Sequence, residues 1–331
     1  MNSSSISPTE PLDGRPAVLV RIIGWLTLAF LISFFVNNVL SIGYGVPGGR
    51  FALQDFDLLN LVQPLVYGAG FIAVIAWVVR TSDRPLRVDA KKISNFNAYI
   101  VRGCFFAVLF VGLVDASIAW LRVERFLPVL FNADLASALL RSRFIGPAIH
   151  IPLVCLGFIV ALFSRTLGFT WLALMIVLAE LLIVISRFVF SYEQSLMGDL
   201  VRYWYAALFL FSSAHTLLEE GHVRVDIVFA GLSRRSKGKV NAYGSILLGM
   251  VTSLTIFLVC LWSKQAIVNA PVMNFEVSQT GTAGMYIKYQ MAAFLLIFAV
   301  TMQVQFVSYF FDAVADMRNE PGKRTPEPIS H

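Results

Sequence analysis

Eight runs of about 18 to 26 predominantly apolar residues follow one another along the chain, and they constrain its fold more than any other feature. A helix rises about 1.5 Å per residue, so about 20 such residues cross a hydrocarbon core of about 30 Å. The runs lie at approximately 18–42, 58–79, 98–120, 145–163, 167–190, 201–218, 240–263 and 286–311. With 57% hydrophobic and 14% charged residues and a mean hydropathy of +0.73, a soluble core of 331 residues could not hide this surface. Lipid offers the backbone no hydrogen bonds, so each run must satisfy its own as a helix. The expected fold is an all-α integral membrane protein of about eight transmembrane helices. The fourth run is the weakest, because Pro147 and Pro152 interrupt its start and a kinked or partly re-entrant segment has the same signature. The run from Val18 is too long for the apolar core of a secretory signal, and no small-residue cleavage site follows it, so it is expected to stay as a first helix. The polar residues before it, within 1–17, are expected to form a disordered cytoplasmic N-terminus.

A net charge of +6 and a pI near 9.3 do not point to nucleic acid, because the cations fall in short clusters between apolar runs. Arg80, Arg84, Arg87, Lys91 and Lys92 lie between the second and third runs; Arg224, Arg234, Arg235, Lys237 and Lys239 lie between the sixth and seventh. Cytoplasmic loops collect such residues, so both loops are expected inside. Arg15, Arg21 and Arg165, with Arg318, Lys323 and Arg324 in the tail at 316–331, fall on the same side of an eight-helix topology. Both termini are then cytoplasmic. The exception is the segment with Arg122, Arg125, Arg141 and Arg143, which this topology places outside and which predicts an amphipathic helix from Glu124 to Leu140 lying in the interface. Cys104, Cys155 and Cys260 all sit within apolar runs and imply neither a disulfide framework nor a metal site.

The runs also group into two halves, 18–164 and 165–315, of four helices each. Trp25-Leu26 echoes Trp171-Leu172, Arg87-Val88-Asp89 echoes Arg224-Val225-Asp226, and Asn97-Ala98-Tyr99 echoes Asn241-Ala242-Tyr243. An even number of helices per half makes such a repeat parallel. Chance regularity of spacing is the alternative to duplication.

The segment from His215 to Lys239, HTLLEEGHVRVDIVFAGLSRRSKGK, is the richest in signals. Gly221 suits the end of a helix. After it Val225, Ile227 and Val228 alternate with Arg224 and Asp226, and Arg234, Arg235, Lys237 and Lys239 are placed to meet anionic headgroups of the membrane lipid. An ordinary positive-inside loop reads the same way. Together with Arg187 in SRFVF and Asp199 and Arg202 in GDLVRYW, the residues Gly221, His222, Arg224 and Asp226 in GHVRVDI resemble the small permease (DctQ-type) family of TRAP transporters, tripartite ATP-independent periplasmic systems. The resemblance covers about residues 165–315. Members often carry adjacent acidic residues where this chain has Asp199 alone, and most have four helices, so 18–164 is additional. The resemblance implies a bacterial inner-membrane scaffold subunit of a sodium-coupled uptake system for organic acids such as dicarboxylates. Its partners would be a large permease subunit, which moves the solute, and a periplasmic solute-binding protein. The loop after the fifth run, with Tyr192, Glu193 and Gln194, and the polar loop at 264–285 are then candidates for touching the binding protein.

Ionisable groups inside apolar runs mark sites of contact or function, because lipid tolerates them poorly. Glu180, two helical turns before Arg187, and Asp115 are the candidates for interhelical or water-facing roles; Arg102 lies close enough to a helix end to snorkel. His150 is expected near the outer face and His215 and His222 near the inner one, which opposes a shared haem. The spacing offers no catalytic set and no metal or cofactor site. The rival readings are a self-sufficient secondary transporter of two parallel halves and a membrane haem protein or enzyme.

Overall fold

The computed structural model describes residues 16–48, 57–164, 169–218, 227–278 and 281–322. The motif residues Gly221, His222, Arg224 and Asp226, the first fifteen residues, Arg165, and Lys323 and Arg324 lie outside the described residues. The described chain is helical, without strands: α1 Val18–Tyr44, α2 Leu58–Arg80, α3 Leu86–Val123, α4 Leu127–Leu130, α5 Ala133–Ala138, α6 Ser142–Phe163, α7 Phe169–Phe190, α8 Ser195–Leu218, α9 Ile227–Ala230, α10 Arg234–Leu261, α11 Asn269–Asn274 and α12 Lys288–Met317. Among the described residues seven of these, α1, α2, α3, α6, α7, α10 and α12, are long and apolar enough to cross a membrane. The protein is an all-helical, multi-pass membrane protein. The remaining expected crossing, 201–218, falls within α8, whose 24 residues include Asp199, Arg202 and His215.

Local chemistry sets the ends and irregularities of these helices. Gly45 closes α1 at φ +70, a left-handed conformation that glycine adopts without steric cost. Asn132 caps α5 by accepting from the Leu135 amide at 2.9 Å, and Ser233 caps α10 by accepting from the Ser236 amide at 3.3 Å. The fourth span is one helix with a π turn at Gly146–His150. Pro147 has no amide to offer the preceding turn, and the wider ring absorbs the lost bond, so the prolines mark a local π turn inside a continuous span. The stretch from Glu124 to Leu140 is not the single interfacial helix its pattern predicts. It breaks at Phe131 and Asn132 into α4 and α5, because Asn132 turns extended to cap the second helix.

The chain forms two compact units, one drawn from residues up to 95, from 218–252 and from 303 onward, the other from 96–217 and 253–302. Each takes segments from both halves of the sequence. In the first unit, α1 and α2 are antiparallel: Trp25 meets Trp77, Phe30 stacks on Tyr67, and Asn37 donates to the Gln63 carbonyl. Arg21 anchors one end of this pair. Its guanidinium, fully buried, donates to Asp89 at 2.8 Å, to the Thr81 hydroxyl at 2.9 Å and to the Thr81 carbonyl. Trp25 adds an indole N–H to the same Asp89 at 3.0 Å. Beside it Arg87 holds Asp316 at 2.7 Å and Asp312 at 3.3 Å, and Arg234 shares Asp316.

The second unit is built on the longer part of α3. Phe105, Phe211 and Phe294 stack edge to face through its centre, with Val101, Val108, Leu172 and Trp204 packed around them. α6 approaches α3 so closely that a Cβ on Gly157 would lie 2.4 Å from the Ala107 amide nitrogen. Small residues permit this backbone contact, the usual source of helix adhesion in lipid.

Candidate functional site: a buried polar chain around Asp115

All of this site lies within the second unit. Asp115 projects from α3, fully buried, and accepts hydrogen bonds at both carboxylate oxygens. The Tyr286 backbone amide donates to one oxygen at 2.7 Å, and His150 Nε2 lies 3.2 Å from the other. With Nε2 donating, the second ring nitrogen, Nδ1, accepts from the Tyr289 hydroxyl at 2.8 Å. Tyr289 in turn accepts from Gln290 Nε2 at 3.1 Å, and Gln290 Oε1 accepts from the Tyr203 hydroxyl. One direction of donation runs through five side chains, from Tyr203 on α8 through Gln290 and Tyr289 on α12 to His150 and Asp115. Every group is satisfied, which is what a low-dielectric interior demands.

The backbone ahead of α12 completes the site. Met285, Tyr286 and Ile287 are buried, and their amides cannot reach a helical carbonyl because they precede the first turn. Two carboxylates answer this: Asp115 takes the Tyr286 amide, and Asp199 takes the Met285 amide at 3.1 Å. Negative charge at a helix N-terminus is also favoured by the helix dipole. Arg122 clamps the same segment from the other side. It donates to the Thr282 and Gly284 carbonyls, both at 3.2 Å, and lies 3.7 Å over the Tyr286 ring. Tyr286 donates its hydroxyl to the Leu140 carbonyl at 2.9 Å. Burial lifts the Tyr286 phenol above its ordinary value, the Arg122 charge opposes that rise, and the Asp115 charge adds to it. The loop expected to be a polar, exposed connection is thus anchored at its end inside the protein.

The other sequence candidates are placed apart from this cluster. Arg187 is exposed and pairs with Glu193 at 3.4 Å, and Arg202 is exposed. Glu180 is exposed halfway along α7. Of the basic set, Arg234 turns to Asp316 and the Glu320 carbonyl, and Lys237 donates to the Ala230 carbonyl, whereas Arg235 and Lys239 are exposed. Tyr192 and Gln194 both donate to Glu124. Sequence reasoning named Asp115 but missed its partners His150, Tyr289, Gln290 and Tyr203. The available signal was depth: Asp115 and His150 sit near the same ends of neighbouring spans.

Compared with models of protein families, with curated proteins and with solved structures, the chain matches none.

Proposed function

We propose that this chain is the small, non-catalytic membrane subunit of a tripartite, sodium-coupled uptake system of the DctQ type in a bacterial inner membrane. It would scaffold a large permease subunit that a periplasmic binding protein supplies with an organic acid. The observation that carries this reading is α7, the helix that opens the segment resembling that family. Only 6% of its most apolar stretch is buried within the chain. It nonetheless carries Glu180 and Arg187 on its open side. A spanning helix that gives its own protein so little contact, yet presents charge, suits a partner protein better than plain lipid.

The topology that goes with this reading has eight crossings and both termini in the cytoplasm. Arg318 donates to the Pro16 carbonyl at 3.2 Å, so the two ends of the described chain meet. Ends that meet on one side of a membrane need an even number of crossings, and α8 is long enough to add one to the seven more apolar spans. The side is assigned by the cations of the loops. A cysteine placed at Ser236 is expected to resist labelling from outside intact cells.

Uptake in liposomes tests the function. The chain reconstituted alone is expected to move no solute, and the large subunit is expected to require it for full activity. Arg224→Ala or Asp226→Ala should weaken co-purification with the large subunit while leaving membrane insertion intact. A second reading has one observation in its favour: buried chains of carboxylate, histidine and tyrosine serve as proton relays in transporters, and Asp115, His150 and Tyr289 form one here. Uptake by the purified chain alone would select that self-sufficient transporter and reject the scaffold.

A further inference from the structure

We infer that the flank of α7 formed by Val177, Glu180, Val184 and Arg187 docks a transmembrane helix of the large transport subunit that presents an arginine or lysine to Glu180 near mid-membrane; this rests on the subunit reading above. The residues follow at spacings of three and four, so they form one stripe along the helix, and all four are exposed. Leu172, Ala179 and Ser186 define the inward side. Glu180 stands halfway between Phe169 and Phe190, about 16 Å along a span that needs about 30 Å to cross, which is the depth where a carboxylate is least tolerated.

Nothing within the described chain compensates it. Glu180 makes no hydrogen bond or ion pair among the described residues. The cation on its own face, Arg187, is two turns away and engaged with Glu193. Helix α2 supplies the contrast. It is equally unburied, at 6%, but holds no charged residue between Leu58 and its terminal Arg80. That is a surface for lipid tails, and α7 is the same surface with one acid set into its middle. The complement of a lone carboxylate in hydrocarbon is a charge-assisted donor, and arginine or lysine supplies one.

The test uses the full chain co-expressed with the large subunit, with a photoreactive benzophenone residue at Val177 or Val184, and at Leu178 or Leu182 on the other flank as controls. The first pair is expected to give an adduct whose peptide is an apolar helix of the large subunit containing a basic residue. Glu180→Lys should lower the yield about tenfold or more, Glu180→Gln less, and replacing the partner's cation by glutamate should restore the adduct to Glu180→Lys. Membrane abundance of each variant reports insertion, and the control flank reports general damage. If the large subunit co-purifies but the adduct is absent, or forms with lipid or a second copy of this chain, or ignores Glu180→Lys, the docking face is wrong and the scaffold assignment stands. If the large subunit does not co-purify with the unmodified chain, the subunit reading fails, and this inference with it.

Discussion

Two buried carboxylates on one helix are held in opposite ways. Asp89, in the first turn of α3, meets the full positive charge of Arg21 and an indole N–H at one oxygen, with the Arg84 guanidinium 3.8 Å from the other. Asp115, farther along α3, accepts from a backbone amide and a histidine that is itself held by Tyr289. In the first case an acid is held chiefly by full charges, one of them buried with it. In the second, a single acid is spread over a chain of weaker donors, each of which also fixes a neighbouring element. The first arrangement pins helix ends; the second orders a loop. The difference predicts different responses to mutation.

The largest effect belongs to the ion pair. Arg21→Met leaves the buried Asp89 with only the partly exposed Arg84, 3.8 Å from its other oxygen, and is expected to lower stability by about 3 kcal/mol, read as denaturant or thermal unfolding in detergent. Adding Asp89→Leu should return most of that loss, since an apolar pair of similar volume often matches a buried salt bridge. If the double variant is no better than the single one, the charges are not the reason for the penalty and the contrast with Asp115 loses its basis.

At Asp115 the expected loss is smaller and graded. Asp115→Asn keeps an acceptor for the Tyr286 amide but turns a donor toward His150. The imidazole can then donate from its other nitrogen to Tyr289, reversing the relay. Tyr289 already accepts from Gln290, so its own hydrogen is left without an acceptor. One orphaned buried donor costs about 1–3 kcal/mol. Asp115→Ala should cost more, because it also strands the Tyr286 amide. Equal losses for the two would mean that the chain has no direction.

How much of this was readable from residues follows from range. Hydropathy is a local property, so the apolar middles of the helices emerged and even the weak fourth span was marked by its own prolines, whereas polar ends such as 86–97 of α3 and 234–239 of α10 did not. The cations show where that reading stops. Arg21, Arg87 and Arg234 carry the same positive-inside signal as Arg235 and Lys239, yet the first three pair with Asp89 and Asp316, Arg21 and Arg87 buried and Arg234 at the surface. Their partners lie 68, 229 and 82 residues away, beyond anything helical periodicity encodes. The same holds for His150 and Asp115, separated by 35 residues and conspicuous in the sequence only one at a time. The loop before α12 looked polar and open because turn residues mark backbone geometry but not what satisfies the amides.

Asp199 sharpens the contrast from the other side, since it shares the loop with Asp115 but not the relay. Asp199→Ala should lower stability by about 1–2 kcal/mol by freeing the Met285 amide, with no effect on the relay. Arg202→Ala, an exposed neighbour on α8, should stay within about 0.5 kcal/mol. A difference in proteolysis of the 281–287 segment between these two variants reports the local opening directly.

The smallest effect is a pH dependence, and it comes from Tyr286. Burial is the chief cause that raises its phenol above the ordinary value. The folded chain therefore holds that proton more tightly than the unfolded one. The linked stability is complete below the ordinary phenol value and is lost as pH rises above it through the folded value. In the same range deprotonation removes the donor to the Leu140 carbonyl and sets a second negative charge beside Asp115. Tyr286→Phe removes the titrating group, so the difference in alkaline stability between it and the parent isolates this contribution. The parent should lose more stability between neutral and alkaline pH than Tyr286→Phe does, whereas at neutral pH the variant should be the weaker by about 1 kcal/mol for its missing hydrogen bond. Parallel curves would show that the phenol meets water in the folded state, and the segment ahead of α12 would then be held by Asp115, Asp199 and Arg122 alone.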